Sequence, residues 1–377
     1  MAGIYLHIPF CKQACHYCDF HFSTQTKAKP DLLEALEGEM ILQRDYLEDD
    51  SIATVYLGGG TPSMLSAEEI ERLLSTIKAH YPLQPNAEIT LEANPDDLNL
   101  SSLQAFRKVG VNRLSIGIQS FQDEVLQYLN RAHEGQEAED SLLMAREAGF
   151  DNISIDLIYG IPDRDDDLWK ADLDKALALQ PEHISAYCLT IEEKTVFGNW
   201  LKKGKISSVE EEFAARQFEI LLQHLGEAGY EQYEISNFCL PERYSRHNSN
   251  YWKQEKYLGL GPSAHSYNGQ SRQYNIANNH QYIRAIQEGQ VPYELDALER
   301  SDHINEYILT TLRTIWGTDF HFIQQKWQAD LYADQQAYID DIVEKGLAYF
   351  KAHHLILTDR GKLLADQIAS DLFYLNS

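Results

Sequence analysis

Long apolar runs are missing from this chain. No stretch of 18 or more apolar residues occurs in the 377, and a helix that crosses a bilayer needs about 20. Positive charge is scarce: Lys+Arg number 32 against Asp+Glu 58, a formal net charge of −26. Nucleic acid and anionic membranes should repel such a chain unless a local basic patch intervenes. The runs Glu48-Asp49-Asp50, Asp165-Asp166-Asp167 and Glu210-Glu211-Glu212 read as solvated faces or loop ends. Cysteine is scarce too, and five in a chain of this size exclude a disulfide framework. The first residues hold no charged leader and no cleavable apolar segment, and a strand begins by residue 3. Low-complexity tracts are absent. The expectation is a cytoplasmic protein.

What is present is uneven. Three of the five cysteines, Cys11, Cys15 and Cys18, fall within eight residues, with gaps of three and two. They follow the extended apolar run Ile4-Tyr5-Leu6-His7-Ile8, which Pro9 stops. Cys188 and Cys239 stand alone and read as small buried hydrophobes.

The first half of the chain repeats a β-rich run, a polar or glycine-rich turn and a helical stretch. Strands are expected at 3–8, 53–57, 88–93, 113–119, 152–158 and 183–189, with helical periodicity over 66–80 and 134–148. This alternation argues for parallel strands joined by right-handed crossovers. Parallel strands buried on both faces are apolar throughout, but these alternate. Leu114, Ile116 and Ile118 oppose Ser115, Gly117 and Gln119; Ile89, Leu91 and Ala93 oppose Glu88, Thr90 and Glu92. A curved sheet around a ligand cavity needs such a polar face, and so does a packed barrel interior with satisfied polar groups. Conspicuous residues follow successive strand ends, where β/α barrels carry their chemistry. The cysteines follow the first, Gly58-Gly59-Gly60-Thr61-Pro62 the second, and Glu92, Gln119 and Asp156 mark later ones.

The β/α rhythm ends near residue 191. The expected organisation is a core over 1–235, an irregular Asn-, Tyr- and Gly-rich segment over 236–295, and a mainly helical domain over 296–377. Two short strands and a helix after Thr358-Asp359 give that last domain a winged-helix-like ending.

Zinc takes four ligands in a closed tetrahedron, commonly as two spaced pairs. Here three cysteines stand with His16 or His21 as candidate fourths, and no second pair follows. An iron–sulfur cube fits better, and with three thiolates one iron stays open; zinc and free thiols are the alternatives.

Cys-x3-Cys-x2-Cys after the first strand of a partial β/α barrel resembles the signature of the radical S-adenosylmethionine (SAM) superfamily. Tyr5-Leu6-His7-Ile8-Pro9-Phe10-Cys11 is similar to the branch containing the oxygen-independent coproporphyrinogen III oxidases. The likeness continues through Gly58 to Pro62, Glu92-Ala93-Asn94-Pro95, Ser115 to Phe121, Asn130-Arg131 and Asp156 to Pro162. The fold this resemblance implies is α/β, a partial (β/α)6 radical-SAM barrel with a C-terminal, mainly helical, winged-helix-like domain. It implies a [4Fe–4S] cluster on Cys11, Cys15 and Cys18, with SAM chelated by the open iron. One electron from the cluster then breaks a carbon–sulfur bond to give methionine and a 5′-deoxyadenosyl radical. Carried over by position, Gly59, Gly60 and Thr61 would meet the methionine end. Tyr5, Glu92, Gln119, Arg131 and Asp156 would line the SAM pocket.

Two features depart from the oxidases. Phe20 stands where they carry a fourth cysteine, and the sequence enters its first strand without their extra N-terminal segment. Both resemble the HemW-type heme chaperones, as does His247-Asn248-Ser249-Asn250-Tyr251-Trp252, which is similar to their HNxxYW motif. That implies heme binding at His247, Asn248, Tyr251 and Trp252, with His265 a second candidate ligand. Imidazole is a common axial ligand, aromatic rings offer flat apolar surface, and Arg243 and Arg246 stand near in sequence to meet propionates. Three classes stay open: a heme carrier, a radical SAM enzyme of porphyrin metabolism such as a coproporphyrinogen III oxidase, and a zinc-holding interaction protein. The expected partners are heme, heme-acceptor proteins and an electron donor, without nucleic acid or a transmembrane segment. A peripheral membrane contact and a homodimer are both compatible with the sequence.

Overall fold

The computed structural model describes residues 1–48 and 50–374; Asp49 of the first acidic run and residues 375–377 of the last segment lie outside it. Six parallel strands form the centre: β1 (Ala2–Ile8), β2 (Ile52–Gly59), β3 (Leu83–Ala93), β4 (Arg113–Gln119), β5 (Ile153–Tyr159) and β6 (His183–Cys188). They pair in chain order. The strands expected from sequence lie within these bounds or overrun them by a residue at an end.

The apolar strand faces pack on the connecting helices in one core. The helix Ala67–His80 shows why. It starts at a capping box between Ser66 and Glu69, and it turns Ile70, Leu73, Leu74 and Ile77 inward. Each such buried side chain contributes roughly 1.5–3 kcal/mol over an exposed one.

The 236–295 segment, expected to be irregular, is built into the sheet. β8 (Asn237–Cys239) adds antiparallel to β6, and β7 (Glu231–Glu234), just before the segment, pairs antiparallel with β8 at the sheet edge. β9 (Lys256–Leu260) adds parallel to β1, and β10 (His265–Tyr267), β11 (Ser271–Asn275) and β12 (Tyr293–Ala297) follow antiparallel. The result is one twelve-stranded sheet. Three-residue strands such as β8 and β10 are too short to show alternation, so no period was readable.

The polar face differs along the strands. Towards their N-terminal ends it is a packed floor: Thr54, Thr90, Ser154 and His183 are fully buried. His183 bonds Ser154 Oγ at 2.7 Å and the Tyr233 hydroxyl at 2.7 Å. Towards their C-terminal ends Tyr5, Glu92, Gln119 and Asp156 are only half-buried. The polar face is thus a packed interior at one end and only partly covered at the other.

The chain after residue 300 makes a second core of mainly helical elements around a small sheet of β13 (Thr318–Asp319), β14 (Ala348–Lys351) and β15 (His354–Leu357). Backbone bonds from Ile235 to Arg313 and from Ile315 to Tyr233, with an Arg313–Glu234 ion pair of 3.1 Å, fasten it to the barrel.

Candidate functional site

The thiols sit on a loop pinched at its neck. The Cys11 amide donates to the Ser23 carbonyl at 3.1 Å, and the Ser23 amide donates to Pro9 at 2.7 Å. The loop is pinned from outside as well. Asn130 Nδ2 donates to the Ala14 carbonyl at 2.7 Å, the His16 amide donates to Leu129 at 3.1 Å, and Lys12 pairs with Asp96 at 2.8 Å. Asn130 can turn back in this way because it ends the helix Asp123–Leu129 in the left-handed region, with φ 58°. All three thiols are partly exposed.

Neither histidine considered as a fourth ligand faces the thiols. His16 Nδ1 bonds the Tyr128 carbonyl at 3.0 Å, and its ring packs on Trp200. His21 Nε2 bonds Asn279 Oδ1 at 2.7 Å. Among the described residues no three His, Cys, Asp or Glu side chains gather closely enough for a single metal ion. Thiols spread along a loop suit the corners of a cube better than one tetrahedral ion. Burial raises the Cys11 thiol, and the neighbouring Cys15 raises it further. Such a trio is relieved by a cationic centre between the sulfurs.

The strand-end residues converge beside this loop. Arg131 Nη1 reaches Cys15 Sγ at 3.4 Å, while its Nη2 donates to Asn94 Oδ1 and the Gly117 carbonyl, each at 2.7 Å. Asn94 Nδ2 donates to Thr61 Oγ1 at 3.2 Å, and Thr61 in turn bonds Cys11. Gln119, held at φ 68°, folds its amide back over Gly117. Gly59 has φ 107°, and a Cβ there would lie 2.5 Å from the His7 ring. A Cβ at Gly60 would lie 2.7 Å from the Phe10 carbonyl oxygen. These glycines let β2 turn tightly against the thiol loop.

Two acids stand on the same face. Glu92 accepts from the Tyr56 hydroxyl at 2.8 Å and the Gly59 amide at 3.1 Å. Burial pushes its carboxyl up to about 7 against those two bonds, and Asp156 pushes the same way. Burial pushes Asp156 up to about 6, opposed first by its bond to Ser185. Arg113, 1% exposed, opposes both through space. Two half-buried acids without an ion-pair partner among the described residues give this face a negative charge that a cation could meet. The ammonium and sulfonium of SAM are such cations, so the residues present fit the group.

The 247–252 motif lies elsewhere. It forms the helix Arg246–Trp252, capped by Ser245 and seated on the barrel floor. His247 is 2% exposed, its Nδ1 bonds Thr54 Oγ1 at 2.8 Å and its Nε2 bonds the Tyr251 hydroxyl at 3.0 Å. The ring stacks on Tyr56 at 5.0 Å, and burial lowers its pKa to about 3. In this arrangement His247 offers no open nitrogen to an iron. Trp252 turns towards the C-terminal domain, with the Arg313 guanidinium 5.8 Å from its ring. The Asn248 amide donates to Ser245 Oγ in the helix cap. Arg246 bonds the Asn86 carbonyl at 2.8 Å. Of the motif, Tyr251 borders the cavity beside the thiol loop.

That cavity, about 430 Å3, lies between the thiol loop and strands β9 and β10. Phe20, His21, Tyr251, Tyr257 and His265 are among its walls, with Tyr5 and His7 behind them.

Residues 5–176 match the model of the radical SAM superfamily. The heme chaperone HemW of Bacillus subtilis (strain 168) is 36% identical over 371 residues, covering 98% of both chains. The chain belongs to the radical SAM superfamily, in its HemW branch. The HemW of Lactococcus lactis is 34% identical over 367 residues, 97% of this chain and 95% of that one. The structure of the Escherichia coli coproporphyrinogen III oxidase HemN, a radical SAM enzyme, superimposes with TM-score 0.85 at 26% identity, over 99% of this chain and 90% of that one. The cofactors of this superfamily are a [4Fe–4S] cluster and SAM. Among the described residues no helix is long and apolar enough to cross a membrane.

Sequence reasoning passed over Arg113, which stands opposite Thr90 on the inward face of β4. A charged residue opening a strand reads as an exposed end, yet its inward parity was visible. It also gave Phe20 no physical role, since nothing in the sequence says that the thiol loop folds over a cavity.

Proposed function

We propose that the chain is a heme chaperone of the radical SAM type, which binds a [4Fe–4S] cluster, SAM and heme and passes heme to acceptor proteins. The observation that carries this reading is the 430 Å3 cavity beside the thiol loop, with Phe20 as one wall. Its volume is within the range of small-molecule sites, about 300–1,000 Å3. Likeness to HemW proteins over nearly the whole length supports the same reading.

In this proposal Cys11, Cys15 and Cys18 hold the cluster, which when bound supplies an electron to its neighbouring ligand. Gly59, Gly60 and Thr61 form the edge next to the thiols, where the methionine end of SAM would lie. Glu92 and Asp156 receive its positive charge. Arg131 and Gln119 frame the pocket over Gly117, and Tyr5 separates it from the floor. Tyr251 belongs to the heme cavity. His247 holds Tyr251, while Asn248 and Trp252 fix the helix that carries both.

The second reading is a coproporphyrinogen III oxidase, favoured by the close superposition on that enzyme. An anaerobic assay with reconstituted protein, SAM, a reductant and coproporphyrinogen III separates the two. The chaperone reading expects a loaded cluster and no protoporphyrinogen. Product formed at an enzymatic rate would overturn it.

A further inference from the structure

We propose that heme enters the cavity between the thiol loop and strands β9 and β10, with His265 as its axial ligand in place of His247. The placement rests on the heme-carrier reading and adds a location and a ligand to it.

Three imidazoles reach this cavity, and their bonds distinguish them. His7 has both nitrogens occupied, Nδ1 by the Tyr5 hydroxyl at 3.1 Å and Nε2 by the His21 carbonyl at 2.8 Å. His21 has Nε2 on Asn279. His265 is exposed, and its ring makes no hydrogen bond among the described residues; its one ring contact is Tyr274, at 5.3 Å between centroids. An imidazole needs an unengaged nitrogen to ligate iron, so His265 is the ligand to hand and His21 the next.

The position of His265 is built rather than incidental. The chain turns after β9 through Gly261 at φ 104° and Ser263 at φ 64°, and His265 then pairs with Tyr274 at the start of β10. A Cβ on Gly259 would lie 2.0 Å from the His265 carbonyl oxygen, so glycine is what lets β10 fold back this closely on β9. A ligand on a paired strand is held in place before the metal arrives.

The walls combine flat aromatic rings, Phe20, Tyr251 and Tyr257, with polar groups that include Asp19 and Ser263. Phe20 is 68% exposed and stands in the cavity wall, so its ring is accessible to a ligand there. Tyr257 meets Tyr251 edge-on at 4.6 Å, and Tyr251 meets His247 edge-on at 5.1 Å. This aromatic row runs from the cavity wall down to the floor. His247 is therefore a positioning residue, which acts by holding the Tyr251 hydroxyl. Phe20 also acquires a physical role: where a fourth cysteine would present a thiol, a ring faces the cavity.

The test is a heme titration of the full chain after anaerobic cluster reconstitution, read from the Soret band and from the ligand-field signals of the iron. Wild type, His265→Ala, His265→Met and His247→Ala are compared, with thermal unfolding as the folding control. The expected results are at least tenfold weaker binding with loss of the imidazole signature for His265→Ala, and retained binding with a shifted band for His265→Met. His247→Ala should weaken binding less and keep the imidazole signature. Unchanged binding and spectrum in a folded His265→Ala, or an imidazole signature lost with His247 alone, would overturn this placement while leaving heme carriage intact. No saturable change in wild type would remove the carrier reading and the placement together.

Discussion

The thiol loop and the helix Arg246–Trp252 both carry short motifs, and the barrel uses them in opposite ways. Residues 11–18 lie where a strand opens into a loop, and the side chains from neighbouring strand ends converge on them. Arg131 and Thr61 link directly to the thiols and Asn94 ties the two together, while Glu92 and Asp156 make no ion pair and have Arg113 acting on them only through space. Residues 247–252 lie on a helix, so successive side chains diverge. His247 points into the barrel floor, Tyr251 to the cavity and Trp252 to the C-terminal domain. The first region has groups in want of a partner; in the second, His247 has both nitrogens already bonded. Unsatisfied chemistry at a rim marks a place for a ligand, and a buried imidazole with both nitrogens bonded marks a support.

The largest effect that would break this contrast is at the thiols. Replacing any one of Cys11, Cys15 or Cys18 by Ala should reduce iron and sulfide after reconstitution to near background. A full complement in such a variant would remove the loop from cluster binding. Next come the acids. Asp156→Asn or Glu92→Gln should weaken SAM binding by about 10–100-fold, since a hydrogen bond to a charged group contributes roughly 1.5–3 kcal/mol. Equilibrium dialysis measures it, and the cluster absorbance should stay unchanged.

His247→Ala should act on stability. It removes a buried ring and the bond to Thr54, leaving Thr54 only the long 3.4 Å contact from Asn250, and should lower urea stability by about 1–3 kcal/mol, with cluster loading retained. A variant as stable as wild type would contradict the supporting role of the floor.

The smallest effect is on pH. Glu92 is raised to about 7 and Asp156 to about 6, so both are partly protonated near pH 6 and charged by pH 8. A cationic ligand needs the charged forms. SAM affinity should therefore rise over that interval, by up to about tenfold, with proton release at the lower pH. Calorimetry in buffers of different ionisation enthalpy would detect the release, and a flat profile would argue against the acids as the cation's receptor.

The six central strands and the strand-end residues were legible because alternation over strands of six or more residues fixes which way a side chain points. Glu92, Gln119 and Asp156 could thus be assigned to one face before any coordinates. The cysteine spacing is local and, taken with the β/α context, favoured an iron–sulfur cube over zinc or free thiols. His247 was not legible in the same way: a seven-residue helix with few apolar side chains does not say what its faces meet. The sheet extension over β9 to β12 was hidden for a related reason, because its strands run only three to five residues. The cavity depends on that extension, which is why Phe20 and His265 stood apart in sequence with no visible reason to meet.

The most direct test of heme carriage is stoichiometric. Heme is titrated into the reconstituted chain, and the loaded protein is then mixed with an apo heme protein whose Soret band differs. The account predicts a saturable change at one heme per chain, followed by transfer to the acceptor. A linear, unsaturable response, or bound heme that never leaves, would contradict it.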